Sequence, residues 1–150
     1  MALIYWDDLV EGKPLDCRTI QLSLAEIVDF AVQYDPQPFH LDEQAAVASR
    51  FGGIIASSLQ TLSSCTRVLV DAQGEMAILS GLGIEQVHLP NPVRPDDHLT
   101  LDAYWTDLRR SRSKPDLGMA TIRFSARNQN GEIVIETGFK YMIACRSRTN

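Results

Sequence analysis

The chain changes its hydrophobic period about halfway along. Up to residue 72 apolar side chains recur mostly at helical spacing, and beyond about residue 82 they mostly alternate. Leu24, Ile27, Val28, Ala31 and Tyr34 fall three and four apart, which predicts a helix over 24–34. It opens on "SLAE", 23–26, with the Ser-x-x-Glu spacing of a capping box, and Pro36 stops it by pushing residue 35 out of the helical region. "LDEQAAVAS", 41–49, reads as a second, short helix with Asp42 as N-cap. "SSLQTLSSCTRVLVDA", 57–72, places Leu59, Leu62, Thr66 and Leu69 on one face and small residues on the others. Apolar and small residues nearly all round predict a helix enclosed by protein. Short strands are expected at 3–6 and 17–22, around the turn "EGKP".

In the second half, "GIEQVHLPNPV", 83–93, reads as a strand ending at Pro-Asn-Pro. A turn at Pro95-Asp96-Asp97 leads to alternating Leu99, Leu101, Ala103 and Trp105. Ala120, Ile122, Phe124 and Ala126 alternate, as do Ile133, Ile135, Thr137 and Phe139, with Asn130-Gly131 between them as a hairpin signal. Helices first and antiparallel strands last predict an α+β fold, with a curved antiparallel sheet wrapping one long central helix. A length of 150 residues, with no linker and no internal repeat, argues for a single domain over 1–150.

Composition narrows the function classes. Hydrophobic residues make up 45% and charged residues 22%, ordinary for a soluble globular chain. No apolar run reaches bilayer-spanning length and the first residues lack a secretory pattern, so a cytoplasmic protein with no membrane partner is expected. The net charge of −5 argues against nucleic acid as a partner. Cys17, Cys65 and Cys145 are scattered, with no zinc-ligand spacing, and read as reduced small hydrophobes; no metal site is expected. His88 and His98 read as structural.

One stretch breaks the pattern. "YDPQPFHLDEQAA", 34–46, puts two prolines, Asp35 and His40 within six residues. It is either a rigid turn between helices or a stiffened bend that presents a carboxylate and an imidazole together. The second reading is chemically productive: imidazole titrates near neutral pH and a neighbouring carboxylate can share its acid–base work. "FGGIIASS", 51–58, then runs into the long helix, whose N-terminus offers free N–H groups and positive potential to a developing anion. The glycines Gly52 and Gly53 serve either close packing or a close backbone path to such an anion. An acid–base pair beside an oxyanion pocket is what adding or removing water next to a thioester carbonyl requires.

These segments together resemble the MaoC-like dehydratases, relatives of the (R)-specific enoyl-CoA hydratases. Asp35, Pro38 and His40 keep the spacing of that family's Asp-x-Asn-Pro-x-His motif; "NPVRPDDHL" is similar to its Pro-Val-x-Pro-Gly-Asp turn, and "SRSKPDLG" and "NQNGEIV" to later stretches. The resemblance spans about residues 24–145. It implies a hotdog fold, a homodimer or higher homo-oligomer, and an acyl-CoA thioester substrate, with coenzyme A as part of the substrate and no separate cofactor. It implies Asp35 and His40 as the catalytic pair and the amide of Ser58, at the family's oxyanion glycine, as the third catalytic group. Gln37 stands where the hydratases have asparagine, and Asp96 replaces the turn glycine. Substrate contacts are expected from Gln37, Phe39, Gly53, Ser57 and Leu59. Arg112 and Lys114 of "RRSRSK", 109–114, read either as solvated surface or as contacts to coenzyme A phosphates. A hotdog thioesterase and a non-catalytic acyl-CoA binding protein are the alternative functions.

Overall fold

The computed structural model describes residues 2–146, so the ends of the expected 1–150 domain lie outside the described residues. Four helices, α1 (Leu24–Tyr34), α2 (Pro38–Leu41), α3 (Glu43–Ala48) and α4 (Ser58–Gln73), precede most of the sheet. The strands are β1 (Ile20–Gln21), β2 (Ile78–Ile84), β3 (His98–Arg110), β4 (Leu117–Arg127) and β5 (Ile133–Ala144). They form one antiparallel sheet in the order β1-β3-β4-β5-β2. The chain is thus α+β.

The core lies between this sheet and α4. Leu99, Leu101, Ala103 and Trp105 of β3 are buried at alternate positions, and Ala120, Ile122, Phe124 and Ala126 of β4 face them across the ladder. Ile135 and Phe139 continue the layer on β5. From the helix come Cys65, Val68 and Leu69. The hairpin closes on Gly131 at φ 78°, with Asn128 accepting from the amides of Asn130 and Glu132. Asp96 turns the chain at φ 65°, the left-handed conformation that aspartate tolerates better than most residues.

Several expectations need correction. Residues 3–6 form no strand: Ile4 makes a single bridge to Met76, and Trp6–Asp8 is a 3-10 turn. The strand expected at 83–93 lies earlier, at 78–84, where Gly81 and Gly83 break the alternation and the register shifts twice. Pro90 and Pro92 have no N–H to give a ladder, so 85–93 forms no strand and meets β5 through the Glu85 amide on the Gly138 carbonyl and the bridge of His88 to Glu136. The helix expected at 41–49 is two pieces. Pro38 starts a one-turn helix that carries His40, and Asp42 ends that turn and caps the next, accepting from the Ala45 amide at 2.7 Å. The buried stripe of α4 runs through Thr61, Cys65, Val68 and Leu69, while Leu59, Ser63, Arg67 and Val70 form an exposed stripe, so one face of this helix is uncovered in the single chain.

Candidate active site

The carboxylate and the imidazole are positioned by two different local devices. The capping box of α1 is formed, with Ser23 Oγ accepting from the Glu26 amide and Glu26 accepting from the Ser23 amide. The helix then runs its eleven residues to Asp35, its C-cap, whose amide still donates to the Ala31 carbonyl. Pro36 lets the chain go no further in that direction. His40 is fixed by the one-turn helix that Pro38 begins, and it is 3% exposed.

Asp35 is surrounded by neutral donors. Ser57 Oγ donates to Asp35 Oδ2 at 2.7 Å, and Gln37 Nε2 donates to Oδ1 at 2.9 Å. These two bonds, with a smaller contribution from His40, hold the carboxyl below its ordinary range despite partial burial. His40 Nε2 lies 3.3 Å from Asp35 Oδ2. The other ring nitrogen, Nδ1, is 2.6 Å from the Ile55 carbonyl oxygen. A carbonyl can only accept, so Nδ1 carries a proton, and Nε2 is the nitrogen that faces Asp35. Phe39 packs edge-on against the imidazole with centroids 4.6 Å apart and meets Phe51 at 5.2 Å. The ring is therefore held on one side by a backbone carbonyl, on one by a phenyl, and on one by the carboxylate.

The long helix completes the arrangement. Ser57 is its N-cap: Oγ accepts from the Leu59 amide at 3.2 Å while donating to Asp35. Ser58 is the first helical residue, and among the described residues nothing accepts from its amide. A cavity of about 660 Å³ brings Asp35, Gln37, Phe39, His40 and Ser58 to one wall system with Thr61, Asn91, Val134, Arg50 and Arg94. An acid–base pair, a free helical N–H and a space that joins them can polarise a carbonyl and move a proton beside it.

The remaining sequence-derived site residues sit elsewhere. Ser57 is fully buried beneath Asp35 and reaches no cavity, because both its hydrogen bonds point into protein. Leu59 is half exposed on the uncovered stripe of α4 and does not line the cavity. Gly53 packs beside the Arg94 guanidinium, where an added Cβ would lie 3.5 Å from Nη1, and the left-handed residue of the pair is Gly52 at φ 67°. Arg112 and Lys114 lie in the β3–β4 turn, beyond Arg110 and before Leu117. The cavity meets the sheet at Val134, which sits near the opposite end of β4. About nine residues of strand separate the two ends, roughly 30 Å, so within one chain the run cannot reach the cavity. Asp35 and His40 are in direct contact at 3.3 Å, which leaves no room for a water between them.

Sequence reasoning missed Arg50, Arg94 and the Ile55 carbonyl. Arg94 was available as the one cation of "NPVRPDD". No side-chain pattern announces a backbone carbonyl.

Comparison with known proteins places the fold. The MaoC like domain family matches residues 8–126. An uncharacterised protein, YdeM, from Bacillus subtilis (strain 168) is 31% identical over 139 residues, covering 91% of this chain and 96% of YdeM. The crystal structure of a MaoC-like dehydratase from Rhodospirillum rubrum superposes with a TM-score of 0.85 at 34% identity, covering 96% of this chain and 99% of that one. The (R)-hydratase from A. caviae, described as involved in PHA biosynthesis, shares the fold with a TM-score of 0.73 at 24% identity, over 89% of this chain and 96% of that one. The helix-wrapping sheet is a hotdog fold, and the chain belongs to the MaoC-like dehydratase family.

Proposed function

We propose that the protein adds water to, or removes it from, a 2-enoyl or 3-hydroxyacyl thioester of coenzyme A, with Asp35 and His40 as the acid–base pair. The observation that carries this reading is the 3.3 Å contact of Asp35 with His40 Nε2 in the cavity that also exposes the Ser58 amide. In hydration, the thioester carbonyl oxygen faces the Ser58 N–H. The pair takes one proton from a water as its oxygen bonds to the β-carbon. The double bond's electrons move to the α-carbon and on to the carbonyl, where the helix N-terminus meets the enolate charge. The α-carbon then receives a proton from the pair, and the reverse sequence is dehydration. His40 Nε2 is the nitrogen available for this exchange, since Nδ1 stays committed to Ile55. By likeness to the (R)-hydratase, the product is an (R)-3-hydroxyacyl thioester.

Gln37 supports the same reading. Its amide binds Asp35 Oδ1, so the extra methylene relative to asparagine is accommodated by orienting the carboxylate. Self-association into a homodimer belongs to this proposal. The outer edge of β2 is unpaired in the single chain and bears exposed Leu79, Leu82 and Ile84.

The test follows a 2-enoyl-CoA by two signals, loss of the conjugated enoyl absorbance and release of free thiol. Hydration without thiol is the expected result. Thiol release without hydration assigns a thioesterase instead, and tight binding with neither signal across chain lengths assigns a binding protein.

A further inference from the structure

Two arginines line the cavity of the acid–base pair and have no carboxylate of their own. Arg18, Arg67, Arg110, Arg123, Arg127 and Arg146 each sit against an aspartate or glutamate. Arg50 and Arg94 have no such ion pair among the described residues, and both line the cavity. Both are exposed, whereas His40, in the same cavity, is buried. Arg94 is also held in place. Its Nη2 donates to the Phe51 carbonyl at 2.6 Å, Nη1 passes beside Gly53, and Phe51 stacks toward Phe39 and thus toward His40. A guanidinium fastened by one nitrogen keeps further N–H donors for a planar or tetrahedral anion.

We propose that Arg50 and Arg94 form the phosphate-gripping mouth of this cavity and hold the phosphorylated carrier arm of the thioester. The proposal rests on the thioester reading above and assigns to these residues the task that Arg112 and Lys114 are too distant to perform within one chain. The charge balance of the molecule calls for such a device. At a net charge of −5 the protein as a whole repels a multiply anionic substrate, and two guanidiniums without ion pairs put positive charge in the cavity wall. Phosphate in this position has two sources with the same chemistry, a free nucleotide coenzyme or a phosphopantetheine arm on a carrier protein.

The experiment compares crotonyl-CoA with crotonyl-pantetheine, which carries no phosphate, on wild type, R50A, R94K and the double variant R50A/R94A. Arg50 makes no side-chain hydrogen bond among the described residues, so R50A reads the anion contact free of a folding effect, and melting temperatures check the others. The wild-type preference for the phosphorylated thioester should fall roughly ten- to hundredfold in the double variant, in KM and not in kcat. The same preference should weaken in wild type as salt rises. An unchanged preference overturns the clamp while leaving turnover, and so the proposed function, intact. A direct titration of phosphopantetheine, with no chemistry involved, covers the opposite case. If neither thioester is turned over, the function fails, yet binding lost in R50A still supports the clamp and absent binding sinks it. Repeating the kinetics with a crotonyl carrier protein separates the two sources: the one whose KM depends on Arg50 and Arg94 is the carrier these residues hold.

Discussion

Asp35 and Glu85 are two carboxylates held below their ordinary range by opposite means. Asp35 is held by uncharged donors, Ser57 and Gln37, with His40 a lesser partner. Glu85 is held by cations: Arg123 Nε at 3.0 Å first, then Lys140 at 4.0 Å. Each lines a cavity of several hundred Å³, about 660 Å³ for Asp35 and about 580 Å³ for Glu85. Around Glu85 the neighbouring charges pair with one another, Arg123 also reaching Asp107 at 3.1 Å. Around Asp35 the buried imidazole has one nitrogen bound to a backbone carbonyl and the other facing the carboxylate in the cavity wall. Neither cavity size nor a displaced acidity separates the two; the pairing of a carboxylate with an imidazole instead of a guanidinium does.

The largest effect should come from Asp35 and His40 themselves. Asp35→Asn and His40→Gln are each expected to lower kcat for enoyl-CoA hydration by roughly 10²–10⁴-fold with little change in KM, whereas Glu85→Gln leaves kcat where it was. Full turnover in Asp35→Asn would erase the distinction between the two carboxylates.

Gly138 sharpens the Glu85 side. A Cβ there would lie 2.8 Å from Glu85 Oε2 and 3.1 Å from the Ile122 carbonyl oxygen. The carboxylate can swing away but the backbone cannot, so Gly138→Ala should cost about 1–3 kcal/mol in a denaturant titration. The folded variant should keep its kcat.

Ser57→Ala removes both the helix cap and the donor to Asp35. A stability loss of about 0.5–2 kcal/mol is expected from the cap. The donor favours the ionised carboxyl, so losing it raises the pKa of Asp35 back toward the ordinary range. The acid limb of the pH–rate profile should therefore move to higher pH. Ser57→Thr should restore both, and an unmoved limb would separate Asp35 from the rate.

The smallest effect is at Glu85. Its pair with Arg123 is partly exposed, and Glu85→Gln should change stability by about 0–1 kcal/mol, less at high salt. Because the folded-state carboxyl titrates below its unfolded value, whatever the pair contributes is present above the ordinary glutamate range and is lost as pH falls through the lowered one. A large loss at neutral pH would mean that the cluster is structural in a way its exposure does not indicate.

These contrasts also show where sequence reading works. The capping box, the proline stop and the alternation of β3, β4 and β5 were legible because each depends on neighbours a few residues away. The strand at 78–84 was not, because its glycines erase the period and its place is set by pairing with β5, sixty residues later. Asp35 and His40 stood out by composition. What Ser57 does was hidden, since a serine at a helix start looks the same whether its hydroxyl faces a ligand or lies under a carboxylate. Arg94 was hidden by the louder run at 109–114, whose distance from the cavity follows from hairpin length and not from local sequence.

The Ser57 hydroxyl accepts from the Leu59 amide and donates to Asp35 with a single oxygen atom. A single substitution at this position therefore acts on two structures at once. A side chain that cannot both accept and donate there gives up the onset of the longest helix and the acidity of the aspartate in one step.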